Sequence, residues 1–270
     1  MGQTIACANQ KGGVGKTTTV VNLGSYLALA GERVLIVDLD PQGNATSGLG
    51  LDRNTIERSV YDAVIDGARI RELTLAGPVP GLDVVPSAIA LAGAEVELAP
   101  VEGRERRLGR LLSEITAAYD YVLVDCPPSL GLLTVNALTA ADSVLVPLQC
   151  EYYALEGLTQ LLATLDLVRD NLNPDLAVKG IVLTMFDGRT NLSADVASEV
   201  RHHLGDRVFD TVIPRSVRLS EAPSHGLPIS RYSPDSSGAV AYAALAAEVR
   251  ARDGRAGASV ARPLEAMVAS

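Results

Sequence analysis

The sequence predicts a single α/β domain: a doubly wound, mostly parallel β-sheet flanked by helices. Short runs of Val, Leu and Ile alternate with helical patterns along most of the 270 residues, as in repeated β-α-β units. Hydrophobic residues make up 47% of the chain, yet Trp is absent and Phe occurs only twice. An aliphatic core between parallel strands and helices is therefore expected. We assign residues 1–250 to this domain and expect residues 251–270, which are rich in Arg, Ala and Gly, to form a flexible tail.

The predicted strands are apolar runs bounded by Gly, Pro or Asp. They cover residues 4–8, 33–38, 82–85, 121–125, 143–147, 176–185 and 207–213. The first helix is expected to end at Gly31. Further helices are predicted over residues 59–66, 88–98, 104–119, 154–172, 191–204 and 235–250, with a loop or short helix over 214–223.

The predicted helix over residues 104–119 has an apolar stripe of leucines and four arginines outside it. These arginines are Arg104, Arg106, Arg107 and Arg110. A solvated helix face is the simpler interpretation of this pattern, and a partner surface is the alternative.

A glycine-rich segment follows the first strand and opens the first helix. It reads Gln10-Lys11-Gly12-Gly13-Val14-Gly15-Lys16-Thr17-Thr18. Strand, glycine-rich loop and helix are the context that a phosphate-binding loop requires. Glycines let backbone N–H groups turn toward a phosphate, and the helix N-terminus adds positive potential. Lys16 is then expected to reach the β and γ phosphates, and the Thr17 hydroxyl to bind Mg²⁺.

The loop differs from the common pattern G-x-x-x-x-G-K-[ST], because position 10 is Gln and a second lysine, Lys11, opens the loop. The chain contains three lysines and twenty arginines, and two of those lysines, Lys11 and Lys16, lie here. This indicates a specific chemical task for both. The alternative, a glycine-rich turn without nucleotide, is disfavoured by the strand–loop–helix context.

Three aspartates lie at the ends of predicted strands. Asp38 ends the second strand and Asp40 follows it, while Asp125 ends the strand over 121–125. Ligands of open α/β sheets bind at the carboxyl ends of the strands. Asp38 or Asp40 is expected to hold Mg²⁺-bound water or to orient an attacking water, and Asp125 has the form of a Walker B metal residue. An Asx turn before Pro41 is the alternative for Asp38 and Asp40.

The formal net charge is −9, which argues against a nucleic-acid partner for the chain as a whole. However, residues 1–188 carry 13 basic and 23 acidic side chains, whereas residues 189–262 carry 10 arginines and 8 acids. A weakly basic surface made of arginine is thus available late in the chain, although such enrichment is more often ordinary surface chemistry.

The sequence predicts a cytoplasmic protein. Neither an N-terminal signal nor an apolar run long enough to span a membrane is present. The three cysteines, Cys7, Cys126 and Cys150, are far apart in sequence. We interpret them as reduced thiols in the core.

With these segments in hand, the chain resembles the ParA/MinD family of deviant Walker A P-loop NTPases, and most closely its short chromosomal ParA (Soj) branch. The resemblance covers about residues 3–250. The segments that carry it are residues 8–18, 37–44, 124–128 and 211–223, the last reading Thr-Val-Ile-Pro-Arg-Ser-Val-Arg-Leu-Ser-Glu-Ala-Pro. The last two segments are not general features of ATPases.

The resemblance implies a slow ATPase that uses ATP and Mg²⁺ and forms a homodimer when ATP is bound. Two subunits would enclose two ATP molecules, with Lys11 crossing to the partner's nucleotide. Asp40 would orient the hydrolytic water beside Lys16. The residues implied to contact ATP are Lys11, Gly12, Gly13, Val14, Gly15, Lys16, Thr17 and Thr18, together with Met185 and Pro214 near the adenine. The residues implied to support Mg²⁺ are Thr17, Asp38 and Asp125.

The resemblance also implies that the ATP-bound dimer binds double-stranded DNA without sequence preference and associates with the nucleoid. The DNA-contacting arginines of the family correspond to Arg189 and Arg218, and Arg215 is a third candidate. The implied partner is a ParB-type centromere-binding protein that stimulates hydrolysis and releases the ATPase from DNA. The proposed cargo is a chromosome origin or a plasmid.

Three alternatives remain at this point. A MinD-like ATPase that cycles on membranes would need a C-terminal amphipathic helix, for which residues 256–270 offer only Leu264, Met267 and Val268 as bulky apolar residues. A metabolic or electron-transfer relative with an iron–sulfur cluster is disfavoured by the cysteine spacing. A nucleotide-binding scaffold without turnover is the third.

Overall fold

An eight-stranded β-sheet forms the centre of the computed structural model, which describes residues 2–152 and 154–255. The strands are β1 (Gln3–Cys7), β2 (Val34–Asp38), β3 (Leu75–Ala76), β4 (Leu82–Val85), β5 (Tyr121–Asp125), β6 (Ser143–Gln149), β7 (Ala177–Phe186) and β8 (Val208–Pro214). Their order across the sheet is β3-β4-β2-β5-β1-β6-β7-β8. Every neighbouring pair is parallel except β3–β4 at one edge. The predicted fold class is therefore confirmed.

The helices connect the strands and cover both faces of the sheet. In the described residues they are α1 (Lys16–Leu29), α2 (Asn44–Gly48), α3 (Val60–Asp66), α4 (Ile70–Leu73), α5 (Ala94–Leu98), α6 (Arg107–Ser113), α7 (Leu132–Ala140), α8 (Ala154–Asn171), α9 (Asn191–Leu204), α10 (Val217–Glu221), α11 (Ile229–Tyr232) and α12 (Ser237–Arg252).

The core consists of two aliphatic layers, one on each face of the sheet. Successive strand residues point to opposite faces, so Ile36 packs in the layer that contains Leu23 and Tyr242, and Val37 packs in the layer with Leu161. Helices α1 and α12 pack together over the first face, and α6, α7 and α8 over the second. Both layers rely on Val, Leu, Ile and Ala, as the composition predicts.

Two helices are more broken than predicted. Residues 104–119 form a 3₁₀ turn (Arg104–Arg106), then α6, then a second 3₁₀ turn (Thr116–Ala118). The Thr116 hydroxyl donates to the carbonyl oxygen of Leu112 at 2.7 Å, and such a side-chain bond competes with the continuing helix. Residues 88–98 are divided in the same way into a 3₁₀ turn (Ile89–Gly93) and α5.

The carboxyl ends of the parallel strands meet at one edge of the sheet. Asp38 at the end of β2 is in register with Asp125 at the end of β5, and Asp125 is in register with Cys7 at the end of β1. The glycine-rich loop leaves β1 at the same edge. The topology therefore brings the predicted phosphate loop and acidic residues together.

The C-terminal helix α12 extends to Arg252, two residues past the expected boundary. Arg255 forms an ion pair with Glu32 at 3.0 Å, so residues 251–255 pack against the domain. The rest of the predicted tail, residues 256–270, lies outside the described residues. Within the described part of the chain, no helix is long and apolar enough to cross a bilayer.

Candidate active site

The glycine-rich loop between β1 and α1 has the backbone that its sequence predicts. Gly13 and Gly15 have φ angles of 75° and 90°, which a residue with a side chain adopts only at a cost. Gly15 is the N-cap of α1 and provides no side chain to accept hydrogen bonds from the first helical N–H groups. The loop therefore presents backbone donors and the positive end of a helix to an anion.

The two lysines of the loop differ in burial and in direction. Lys16 is 6% exposed, and its Nζ donates to the carbonyl oxygen of Lys11 at 3.1 Å, so this ammonium lies across the loop. The Lys11 side chain is 46% exposed and forms an ion pair with Glu151, just after β6. Lys16 thus contacts the inside of the loop, whereas Lys11 lies where a second molecule can reach it.

Distant side chains anchor the loop. The Asn9 amide donates to the carbonyl oxygen of Pro147 at 2.7 Å and accepts from the backbone N–H of Lys11 at 3.0 Å. From β7, the Thr184 hydroxyl donates to the carbonyl oxygen of Val14 at 2.8 Å. These bonds join the loop to β6 and β7, which pre-organises it for a ligand.

Asp125 is fully buried at the end of β5, and neither of its carboxylate oxygens makes a hydrogen bond of ordinary length and angle within the described residues. Burial raises the pKa of this carboxyl well above its usual range, and the charge of Asp38 raises it further, while Thr17 and Lys16 act in the opposite direction. A buried carboxylate without a partner is costly. Its position therefore indicates a cationic ligand.

Asp38 and Asp40 hold the loop that follows β2. Asp38 Oδ2 accepts from the backbone N–H and the hydroxyl of Thr46 at 2.7 and 2.6 Å, and Oδ1 accepts from the N–H of Asp40. Burial raises the pKa of Asp38 to about 6. Asp40 is 6% exposed, and its Oδ1 accepts from the N–H of Gln42 at 2.9 Å, while its carbonyl oxygen accepts from the Ser87 hydroxyl at 2.7 Å.

The side chains at this edge fit a magnesium ion that is shared with phosphate. No group of three or more Asp, Glu, His or Cys side chains is arranged to enclose a metal in the described part of the chain. Mg²⁺ is usually bound by one or two carboxylates together with phosphates and water. The free oxygens of Asp125 beside the Thr17 hydroxyl satisfy that requirement, whereas Asp38 already accepts three hydrogen bonds.

Met185 and Pro214 lie at the carboxyl ends of β7 and β8, at the edge of the sheet where the loop leaves β1. Thr184, which holds Val14, precedes Met185 directly, and Phe186 pairs with Pro214. Met185 has a φ of 51°, which makes it the one non-glycine residue with positive φ in the described chain. Such strain gathers at ligand sites, which is consistent with the predicted adenine contact.

The three arginines predicted to contact DNA lie beyond the loop on the same edge of the sheet. Arg189 follows β7, Arg215 follows β8, and Arg218 lies in α10. The N–H of Arg215 donates to the carbonyl oxygen of Phe186 at 3.0 Å, which ties the two segments together. All three side chains are exposed. The structure thus places Arg189 and Arg215 at the same edge of the sheet as the phosphate loop, with Arg218 following in α10.

Sequence patterns did not identify several residues that shape the site, namely Asn9, Thr46, Ser87, Glu151 and Thr184. All five contact residues 41 to 170 positions away in sequence, and local motifs do not report such contacts. The place of Glu151 at the carboxyl end of β6 was the available signal, because that edge is the ligand edge.

The fold and the site define an α/β nucleotide-binding protein of the P-loop class, with a second lysine in its loop. A family model described as "AAA domain" matches residues 2–178. The Soj protein of Bacillus subtilis, described as a sporulation initiation inhibitor, is 59% identical over 93% of this chain and 99% of its own length. The chromosome-partitioning ATPase Soj of Treponema pallidum is 53% identical over 94% of this chain and 100% of its own length. The chain belongs to the ParA/Soj family of chromosome-partitioning ATPases.

Solved structures support the same placement. Cobyrinic acid a,c-diamide synthase from Mycobacterium smegmatis, with bound ADP and magnesium, superposes with a TM-score of 0.82 at 40% identity over 94% of this chain and 96% of that one. The septum site-determining protein MinD from Pyrococcus horikoshii, complexed with Mg-ADP, gives a TM-score of 0.77 at 25% identity over 94% of this chain and 98% of that one. Both are described as holding a nucleotide with magnesium.

Proposed function

We propose that this chain is a partitioning ATPase that dimerises when it binds ATP and Mg²⁺, binds DNA as that dimer, and leaves the DNA after hydrolysis. The observation that carries the proposal is the sharing of one sheet edge by the phosphate loop and the arginine surface, defined as Arg189, Arg215 and Arg218. Neighbouring strands lie about 4.8 Å apart, and β6 alone separates β1 from β7. Nucleotide state and DNA contact are therefore close enough to influence one another.

The phosphates of ATP are bound by the loop residues from Lys11 to Thr18. Lys16 exchanges its bond to the carbonyl oxygen of Lys11 for the β and γ phosphates. Thr17 and Asp125 would hold Mg²⁺, which would offset phosphate charge. The orphaned oxygens of Asp125 support this role, and Asp38 acts by holding the loop that carries Asp40.

Asp40 orients the water that attacks the γ-phosphorus, while the bond to the β–γ bridging oxygen breaks. Its carboxylate is held at one oxygen by the N–H of Gln42, and its backbone by Ser87. A fixed carboxylate beside the phosphate loop is the arrangement that water positioning requires.

Lys11 extends to the nucleotide of a second subunit. The Lys11 side chain is nearly half exposed, and on docking it exchanges its ion pair with Glu151 for a phosphate of the partner's nucleotide. A cation supplied in trans stabilises charge on the transferring phosphoryl group, as an arginine finger does. Dimerisation then depends on ATP, because Lys11 of one subunit contacts the γ-phosphate of the nucleotide bound by the other.

The arginine surface binds duplex DNA through its phosphates, without reading bases. The dimer places two such surfaces on one molecule. A ParB-type protein completes the cycle by stimulating hydrolysis. Until that contact occurs, the ATPase stays on the nucleoid.

The test is DNA binding without nucleotide, with ADP and with ATP, at one moderate salt concentration. Wild type, Lys11→Ala and Arg189→Ala are compared, and dimerisation is followed by light scattering. We expect ATP alone to support DNA binding, Lys11→Ala to lose both dimer and DNA, and Arg189→Ala to lose DNA while it still dimerises. If ATP drives dimerisation but never DNA binding, the arginine assignment is wrong. Binding to liposomes in that case would favour the MinD-like alternative.

A further inference from the structure

Two residues of the arginine surface are already paired with carboxylates of the same chain. Arg189 forms a two-bond ion pair with Asp187, from Nε to Oδ1 at 2.8 Å and from Nη2 to Oδ2 at 2.7 Å. The Arg189 side chain is 87% exposed, whereas that of Asp187 is 20% exposed. The Arg189 guanidinium therefore lies on the solvent side of the Asp187 carboxylate that neutralises it.

Arg218 is paired in a similar way. Its Nη1 lies 2.9 Å from Oε2 of Glu221, and the Tyr232 hydroxyl donates to the same oxygen at 3.1 Å. Tyr232 in turn stacks on His225, with ring centroids 4.8 Å apart. Tyr232 and Arg218 thus hold Glu221 through the same carboxylate oxygen.

Arg215 is the member of the surface that makes no ion pair within 4 Å in the described chain. Its charge still acts on Asp187, whose pKa falls to about 2, chiefly because of the bonds from Arg189. The pKa of Glu221 is also lowered, by Tyr232 and Arg218. Both carboxylates are therefore ionised in the folded protein near neutral pH.

We propose that Asp187 and Glu221 are regulatory residues that neutralise the arginine surface and keep a single subunit off DNA. This inference rests on the proposed function. Three arginines and two carboxylates leave the surface of each subunit with a net charge of one, so DNA phosphate must compete with an internal partner for Arg189 and Arg218. The dimer brings two such surfaces together and overcomes this weakness.

Salt dependence distinguishes this arrangement from three free arginines. The slope of log K against log salt is about −0.9 for each phosphate that is neutralised. A dimer with one net cation on each surface is expected to give a slope of about −2, and a dimer with three free arginines on each surface about −5. Removing the two carboxylates should therefore steepen the slope and tighten binding at low salt.

The experiment uses the full chain and a mixed-sequence duplex in fluorescence anisotropy over a salt series, with a non-hydrolysable ATP analogue and without nucleotide. The variants are Asp187→Asn, Glu221→Gln and the double variant, since amides keep the size and the accepting oxygen. The matched control is Glu72→Gln with Asp166→Asn, which breaks two exposed ion pairs elsewhere, to Arg58 and Arg169, and changes the net charge equally.

We expect the double variant to bind DNA at least about 10-fold more tightly at low salt, with a slope steeper by about 3 in the dimer. It should also bind measurably without nucleotide, whereas the control should behave as wild type. An unchanged slope, weaker binding, or an equal gain in the control would overturn the proposal, since the carboxylates would then only support the arginines or act through total charge. If Arg189→Ala leaves the ATP-dependent binding of wild type intact, the assigned DNA surface itself is wrong.

Discussion

The proposed Mg²⁺ role of Asp125 sets nucleotide binding against stability at this residue. Folding buries its carboxylate beside Asp38 and leaves it without a hydrogen bond of ordinary length and angle in the described chain, and Thr17 and Lys16 offset only part of that cost. We predict that Asp125→Asn raises the free energy of unfolding of the nucleotide-free chain by about 1–3 kcal/mol, because a neutral amide avoids the desolvation and the repulsion by Asp38 that raise the pKa of this carboxyl. Denaturant unfolding in the presence of EDTA measures this.

The same substitution should weaken Mg-ATP binding, since it removes the anionic ligand. Asp142→Asn is the control, because Asp142 already accepts the N–H of Thr4 at 2.7 Å, so its substitution should not stabilise the chain. A loss of stability in Asp125→Asn would show that this carboxylate has a stabilising partner after all.

Asp40 is the residue proposed to orient the attacking water. Asp40→Ala should lower ATP turnover by about 10²–10⁴-fold, which is the usual contribution of a positioned proton-transfer group, and should leave ATP binding and dimerisation intact. Turnover equal to that of wild type would instead favour a scaffold role without catalysis by Asp40.

Residues of the site could be predicted from sequence where a local motif carries them. Lys16 and Thr17 belong to a loop whose glycines indicate its conformation, and Asp125 ends an apolar strand. Thr46 and Ser87 could not be predicted as a pair, because the bonds of Ser87 to the Thr46 hydroxyl and to the carbonyl oxygen of Asp40 depend on how the chain returns to this edge in three dimensions.

At the scale of elements, β7 and β8 pack closely because Gly180 has no side chain. A Cβ at this position would lie 2.4 Å from Cε2 of Phe209 and 3.1 Å from the carbonyl oxygen of Arg207. Phe209 is fully buried, so its ring has no room to move. We predict that Gly180→Ala lowers the free energy of unfolding by about 1–3 kcal/mol through overpacking.

Gly157 in α8 is the matched control, since a Cβ there would meet nothing within 4 Å. Gly157→Ala should stabilise the chain by about 0.5–1 kcal/mol through helix propensity. Both changes are measured by urea unfolding. Equal effects of the two substitutions would contradict the packing argument.

Another connection between elements is the ion pair of Arg33 and Asp120, at the starts of β2 and β5. Arg33 donates from Nε at 3.0 Å, from Nη2 at 3.1 Å and from its backbone N–H at 2.9 Å. These bonds lower the pKa of Asp120 to about 2. Because the folded pKa is depressed, the pair contributes stability above the unfolded pKa of about 3.9, and this contribution is lost as the pH falls toward 2.

We therefore predict that Asp120→Asn lowers the free energy of unfolding near pH 7 by about 0.5–1 kcal/mol, a small value because solvent screens the pair. The difference from wild type should vanish near pH 2. Asp166→Asn, which breaks an exposed pair within α8, should have little effect at either pH. A constant difference across the acid range would exclude this ion pair as its origin.

Elements could be predicted where their periodicity is simple. The limits of β4, β5 and α9 agree with the apolar and helical patterns of the sequence. Helix α7 was missed, because it is apolar on most sides and lies between other elements, so it shows no alternation with polar residues. The break before Thr116 was missed because the hydrogen bond of its hydroxyl to Leu112 depends on the side-chain rotamer. The hydrophobic periodicity of the sequence does not report that rotamer.

Across the whole chain, the charge distribution supports the proposal that DNA binding depends on dimerisation. A chain of net charge −9 repels DNA overall, and the surface of one subunit is small and partly neutralised. Joining two surfaces converts the second contact into an intramolecular one, which can raise the observed affinity by about 10²–10⁴-fold.

We predict that DNA binding depends on the length of the duplex, because one duplex must reach both surfaces of the dimer. With a non-hydrolysable ATP analogue, the dimer should bind a duplex of about 30 base pairs at least about 100-fold more tightly than the nucleotide-free chain at the same salt. On a duplex too short to reach both surfaces, the gain should fall to about twofold, because only the number of sites has doubled. Mixed dimers that carry one Arg189→Ala, Arg215→Ala, Arg218→Ala subunit provide the control and should bind long DNA like the nucleotide-free chain. A nucleotide-free chain that binds long DNA within a few-fold of the dimer would mean that ATP controls something other than the joining of two weak surfaces.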